Sequence, residues 1–341
     1  MLSKAQRYSG LSTTKVPLTN RTIVVTGATS GIGLGLTKVF SKLGATVVAV
    51  GRSSTKLKAL REEIPTVVPV LADLSNLSSI SRAADEINGL ERVDILVNNA
   101  GMHMGFTSYD VTDDGFDKVF AVNYLSHVLL TAKLLKKIQE SDKPVIAQVS
   151  SSFHFAVDGS DLQIDSQGSP VASRPGGSTG FYIFRAQRSY CNSKLAQIYH
   201  SRSLQKEIPD VRIVNICPGW VATNIASKVS LAHAFMSRGF SPDGWGIASS
   251  MEAIFGNGQD DFFMSSRFFR LFGAVSPVVS PSFMYKLGLR DLFGFVFAGA
   301  ALFLQVFSPD AAASQSSLES YDEKLGGELH QWAMRQLSGY L

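Results

Sequence analysis

Apolar positions along this chain fall into two kinds of block, short β-branched runs and longer stretches with helical spacing. The first run, Thr22-Ile23-Val24-Val25, has no polar alternation and reads as a strand buried on both faces. Residues 34–43 follow with helical spacing and stop before Gly44. Further strands are expected at 46–50, 67–71, 93–97, 145–149 and 211–217. Helical patterns lie between them, including a long one over about 116–139, and an amphipathic helix closes the chain over 318–337. Strands alternating with helices predict an α/β fold with a parallel sheet covered on both faces. No internal repeat is apparent. The reading is a flexible leader over 1–19 and one domain over 20–341.

Composition narrows the picture. A hydrophobic share of 45% over 341 residues supports a substantial core. Net charge is only +4 and no basic run interleaves with aromatics, which argues against a nucleic-acid partner. The two cysteines, Cys191 and Cys217, make no disulfide framework and have no metal-ligand spacing, so no metal is expected and a reducing compartment is. Both are expected to pack as small hydrophobes, with Cys191 open to alkylation. The first 16 residues carry Lys4, Arg7 and Lys15, many hydroxyls and no acid. A disordered leader is the preferred reading, a transit peptide the alternative. The expected location is cytoplasmic or peripheral on an intracellular membrane.

Two local patterns carry chemistry. Thr26-Gly27-Ala28-Thr29-Ser30-Gly31-Ile32-Gly33 sits between the first strand and the first helix. Glycines there let the backbone approach a pyrophosphate while the helix N-terminus faces its charge, which makes a dinucleotide site. The spacing is G-x-x-x-G-x-G rather than the common G-x-G-x-x-G. Downstream, Tyr190 and Lys194 lie four residues apart, on one face of a helix. A cation beside a phenol favours the phenolate, lowers its pKa and makes it a usable proton donor and acceptor.

These patterns, with Asn98-Asn99-Ala100-Gly101, Asn123, Ser150-Ser151-Ser152 and Pro218-Gly219 in this order, resemble the short-chain dehydrogenase/reductase family. The resemblance covers 20 to about 224. Ser152-Phe153-His154 and the long insert before the tyrosine are most similar to the branch of retinol dehydrogenases and WW-domain oxidoreductases. It implies a Rossmann-type doubly wound parallel sheet in a single domain with an extended substrate lid. It implies a catalytic set of Asn123, Ser151, Tyr190 and Lys194, with Ser152 as a lesser alternative to Ser151. Tyr190 would be general acid/base, Lys194 would lower its pKa and hold the nicotinamide ribose, and the serine would stabilise charge on the substrate oxygen. Asn123 would kink the long helix and anchor a water that feeds protons to the lysine. Strand alternation would put Ser150 and Ser152 on one face and Ser151 on the other.

The cofactor cradle implied by the resemblance comprises Gly27, Thr29, Ser30, Gly31, Ile32 and Gly33, then Asp73 and Leu74, then Asn99, Ala100 and Gly101. Tyr190, Lys194, Pro218, Gly219, Val221 and Thr223 complete it. At the end of the second strand stand Gly51-Arg52-Ser53, where an acid would bind a ribose 2′-hydroxyl. Arg52 can pair with a 2′-phosphate through its planar fork and Ser53 can add a hydrogen bond, so NADP(H) is expected over NAD(H).

Three features depart from the plain family pattern. Ser151 and Tyr190 are 39 residues apart, and the insert over 152–189 is rich in Gly and Pro, a loop over the site. His154 within it is read as solvated, a substrate contact being the alternative. Residues 225–290 are aromatic-rich and are expected to form the lid. The apolar run 292–307 has 16 residues, short of the roughly 20 needed to span a bilayer, and reads as a buried helix. Contact of the preceding segment with a membrane surface is the competing expectation. No final strand is evident after Phe307. The functional expectation is an NADP(H)-dependent oxidoreductase interconverting hydroxyl and carbonyl on a lipophilic small molecule, retinoid-, steroid- or isoprenoid-like. A reductase of another bulky substrate, such as a pigment precursor, and a nucleotide-binding regulator without turnover are the alternatives.

Overall fold

Every residue of the first strand, β1 (Thr22–Thr26), is buried, as a run without polar alternation requires. In the computed structural model the described residues are 17–104, 109–178, 185–218, 245–256, 261–264, 312–313 and 316–341. Helix α1 (Gly31–Lys42) returns the chain to β2 (Thr46–Gly51). Then come α2 (Ser54–Glu63), β3 (Val67–Leu71), α3 (Leu77–Asn88) and β4 (Ile95–Asn98). The long helix has three parts: α4 (Lys118–Phe120), a π-helical segment (Ala121–Leu125) and α5 (Ser126–Gln139). Strand β5 (Val145–Val149), helix α6 (Arg185–Glu207) and strand β6 (Arg212–Cys217) complete the expected series.

The sheet has eight strands in the order β3-β2-β1-β4-β5-β6-β7-β8. All neighbours are parallel except β7 (Phe262–Met264) and β8 (Ala312–Ala313), which pair antiparallel. Strand β8 corrects the expectation of no final strand: two alanines carry no periodic signal, and only pairing with Phe263 and Met264 defines them. Helix α7 (Trp245–Phe255) and β7 lie within the span assigned to the lid, yet α7 packs over the sheet and β7 extends it. Most of 225–290, and all of 292–307, lies outside the described residues. Among the described residues no helix is long and apolar enough to cross a membrane.

Alternation within the strands feeds two cores. Val24, Val48, Val50, Val70 and Leu96 face α3, α5 and the terminal helix α8 (Glu323–Leu337). Ile23, Val25, Val47, Ala49 and Val97 face α1, α2 and α7. The second core takes in Leu18, within the expected leader, which is buried and whose N–H donates to Leu43 O at 2.8 Å. Over 152–178 the insert is irregular chain with short 3₁₀ turns at Ser152–Ala156, Ser160–Leu162 and Val171–Ser173, and from Arg185 it is already part of α6.

Helix α8 presents Leu325, Leu329, Trp332, Ala333 and Leu337, a helical spacing that makes one continuous apolar face. Gly326 lets it approach the Tyr199 ring, and Trp332 meets Phe116 and Phe120 at centroid distances of 6.2 and 6.3 Å. Trp332 is fully buried, so Trp332→Ala should cost about 3–5 kcal/mol, read as a fall in the urea midpoint. An unchanged midpoint would show that α8 contributes nothing to the core it covers.

Candidate active site

Strand order reverses between β1 and β4, whose carboxyl ends therefore open a crevice at the switch point of the sheet. The turn after β1 lines one wall. Gly27 has φ +68°, a left-handed conformation that glycine adopts without strain. Gly33 is the tighter constraint: a Cβ there would sit 2.4 Å from Gly27 O and 2.5 Å from Asn99 Nδ2. Asn99 is itself clamped to β1, its Nδ2 donating to Thr26 O at 2.8 Å. Thr26 Oγ1 accepts from the N–H groups of Asn99 and Ala100, each at 2.9 Å. Thr29, Ser30, Gly31 and Gly101 are half-buried along this wall and Ile32 is buried. Helix α1 has no acid in its first turn and Ser30 makes no side-chain capping bond, so its positive end is unopposed.

At the end of β2, Arg52 is exposed. The Ser53 hydroxyl is engaged as the N-cap of α2, accepting from Lys56 N–H at 3.4 Å. Asp73 is exposed and turned on its own loop, with Oδ1 accepting from the Ser75 N–H and hydroxyl at 2.9 and 2.8 Å; Leu74 is half-buried. Pro218 is buried at the end of β6, while Gly219, Val221 and Thr223 lie outside the described residues.

The Tyr190 phenol sits nearly buried on α6, close enough to the Ser151 hydroxyl for that group to favour its ionised form. Strand β5 ends at Val149, so alternation does not govern the three serines. Ser150 turns inward and donates to Lys194 O at 2.9 Å, and Ser152 is buried in the 3₁₀ turn. Ser151 caps that turn, accepting from Phe153 N–H, and is the serine brought to the tyrosine. Two rings meet Tyr190 edge-on, His103 at 5.4 Å and Phe153 at 5.8 Å between centroids.

Lys194 corrects the simplest expectation. Its Nζ lies 5.5 Å from the Tyr190 ring centroid and donates instead to Val149 O at 2.8 Å and Gln197 Oε1 at 3.1 Å. Burial brings its ammonium down to about 7. Burial also pushes the Tyr190 phenol above its ordinary value, with only the neighbouring Ser151 hydroxyl pulling the other way. In this state, desolvation outweighs any effect of the lysine on the phenol.

Asn123 lies in the π-helical segment. Its side chain grips the loop after β4 in both directions, Oδ1 accepting from Met102 N–H at 2.8 Å and Nδ2 donating to Met102 O at 3.1 Å. Nδ2 also reaches Ser193 Oγ at 3.0 Å. The Asn123 carbonyl accepts from Gln197 Nε2 at 2.7 Å and faces His127 Nδ1 at 3.1 Å.

Two other expectations change. His154 is fully buried, not solvated: Nδ1 bonds Ser151 O at 2.5 Å and Nε2 accepts from Ser317 N–H at 3.1 Å. Because Nε2 faces a donor, the proton resides on Nδ1, and burial takes the ring's pKa down to about 3. Cys191 is buried with its thiol pushed up to about 12, which removes the reactive thiolate that alkylation needs. Thr26, His127 and Gln197 were not singled out from sequence, although Gln197 continues the Tyr190–Lys194 face at i+7 and His127 follows Asn123 at i+4.

Residues 21–157 match the family described as short chain dehydrogenase. Human retinol dehydrogenase 13 is 29% identical over 264 residues, which cover 74% of this chain and 75% of that protein. Human retinol dehydrogenase 11 is 32% identical over 233 residues, 65% of this chain and 68% of its own. A crystal structure described as a putative uncharacterized protein from Mycobacterium Paratuberculosis has a TM-score of 0.64 over 94% of both chains at 22% identity. The 3-ketoacyl-(acyl-carrier-protein) reductase from Brucella melitensis complexed with NADH has a TM-score of 0.53 over 69% of this chain and 91% of its own, at 24% identity. The two structures share this fold.

Lys194 has a testable signature in nucleotide-free protein. An unfolded lysine keeps its proton to about 10.5, whereas the buried amine releases it near 7. Between these values the unfolded chain binds more protons, so stability rises with pH across that window. Lys194→Met should flatten the rise of the urea midpoint between about pH 7 and pH 9. Parallel pH curves for the two proteins would contradict the burial of this charge.

Proposed function

Because the chain belongs to the short-chain dehydrogenase/reductase family, in its retinol dehydrogenase-like branch, we propose that it interconverts a hydroxyl and a carbonyl on a lipophilic molecule with NADP(H). The contact between the Ser151 hydroxyl and the Tyr190 phenol, beside the crevice at the sheet's switch point, carries this reading.

The residues present suit a dinucleotide. Gly27 and Gly33 let the turn close against Ala100 and Asn99 where a Cβ has no room, α1 has an unopposed positive end at this turn, and Arg52 offers an exposed guanidinium where a 2′-phosphate would lie. The turn over 27–33 would hold the pyrophosphate, Arg52 with Ser53 the 2′-phosphate, Asp73 and Leu74 the adenine, and Asn99–Gly101 the adjoining ribose. When bound, the nicotinamide supplies or accepts the hydride.

Ser151 and Tyr190 would donate together to one substrate oxygen. Burial keeps the phenol protonated in the nucleotide-free protein, the state from which a general acid delivers its proton as a carbonyl becomes an alkoxide. Alcohol oxidation runs the same transfer backward. Ser151 adds a second donor to the oxygen as charge develops. Lys194 keeps a cation near the phenol's ring, and Asn123 holds the loop after β4 against the kinked helix. Phe153 and His103 give the tyrosine an aromatic surround that suits an apolar substrate.

The decisive assay is NADPH oxidation with retinoid, steroid and isoprenoid carbonyls. Tyr190→Phe should lower kcat by on the order of a hundred- to ten-thousand-fold while nucleotide affinity persists. Full activity in that variant, or in Ser151→Ala, would refute the assignment. A wild-type protein that binds NADPH and turns over no carbonyl would instead be a nucleotide-dependent regulator. For the cofactor, Arg52→Asp should weaken NADPH about tenfold or more relative to NADH, read by fluorescence titration. An unchanged preference would remove Arg52 from the 2′-phosphate site.

A further inference from the structure

Tyr190, Lys194 and Gln197 lie on one face of α6, and the third has no part in the reaction described so far. Gln197 is 1% exposed and spans two groups that do not otherwise meet. Its Oε1 accepts from Lys194 Nζ at 3.1 Å, and its Nε2 donates to the Asn123 carbonyl at 2.7 Å. An ammonium only donates and a carbonyl only accepts, so this amide has one admissible orientation. Flipping it would set donor against donor at the lysine and acceptor against acceptor at the helix kink.

The bridge continues beyond the kink. His127 Nδ1 faces the same carbonyl at 3.1 Å and therefore carries the ring proton, which leaves Nε2 to accept from Thr26 Oγ1 at 3.2 Å. Thr26 in turn receives the N–H groups of Asn99 and Ala100. One hydrogen-bonded line thus runs from the glycine-turn strand to the lysine, and Gln197 is its last link.

We propose that Gln197 is a positioning residue, whose amide takes the place a solvent molecule would otherwise fill between Lys194 and the Asn123 carbonyl. It sets where the ammonium sits and favours its charged form. This rests on reading Lys194 as part of the acid–base site. A water at that position exchanges and relays protons; an amide does neither at neutral pH, so this side of the lysine is closed to proton exchange. Among the described residues the titratable groups facing Lys194 are Tyr190 on its own helix, His127 on α5 and Cys217 at the end of β6. Burial keeps His127 neutral and its pKa down at about 3. The bridge and the Val149 carbonyl are therefore the main polar support of the cation.

Two substitutions separate bridging from packing. Gln197→Met keeps the volume and removes both hydrogen bonds, whereas Gln197→Ser leaves room for a water to rebuild them. Carbon-13 lysine NMR on nucleotide-free protein should show the Lys194 midpoint falling by about one pH unit in the Met variant, with part of the loss restored in the Ser variant. The limb of the carbonyl-reduction pH profile that reports Lys194 should move in the same order, with kcat about tenfold lower for Met. Should the Met variant not fold, Gln197→Leu serves in its place with the same expected shift. A wild-type midpoint in the Met or Leu variant, or a Ser variant more impaired than Met, overturns the bridge and leaves a packing role. A falling midpoint in a protein that reduces no carbonyl upholds the bridge and defeats the functional reading instead.

Discussion

An ammonium taken out of water has to be handed acceptors by the protein. At Lys194 these come from two separate layers of the fold. Val149 O belongs to the end of β5, and the Gln197 amide reaches it from the next turn of α6. Ser150 then closes the third side by donating to Lys194 O, so the strand end and the helix are tied at main-chain level as well. The position of Tyr190, one turn earlier, follows from this anchoring. The π-helical segment belongs to the same arrangement. There the Asn123 carbonyl accepts from Gln197 Nε2 and faces His127 Nδ1.

The parallel sheet fixes where those ties converge. Register between β1 and β4 and between β4 and β5 brings the glycine turn, Asn99 and the serine cluster to one edge of the sheet. The close approach at Gly33 allows the helix after the turn to press against that edge, and Asn99 locks it. The crevice is thus built from main chain and buried amides, groups that do not titrate and keep their hydrogen bonds through a proton transfer.

The C-terminal end of the chain also reaches the site. His154 ties Ser151 O to the N–H of Ser317. Arg202 holds that segment through Ser316 and Ser320, and Tyr199 donates to Glu319 O. The hydroxyl that meets Tyr190 is therefore braced by residues more than a hundred positions away in the chain.

Strand positions, the parallel sheet and the glycine turn were legible in the sequence because each depends on local properties: β-branched runs, helical spacing, and glycines where a Cβ has no room. The Tyr190–Lys194 pair was legible for the same reason, since four residues on a helix define one face. What partners each buried group takes is a different matter, because it depends on which distant atoms arrive and on how much water leaves. That is why a lysine expected to acidify its neighbour instead has its own pKa depressed, and why His154, polar and in an insert, proves to be a buried strut. It is also why β8 escaped notice: two alanines become a strand only when β7 lies beside them. Sequence alone determined the elements and the residues able to do chemistry; the tertiary fold decided their charge states and partners, since desolvation and hydrogen bonding between remote segments exist only once the chain has packed.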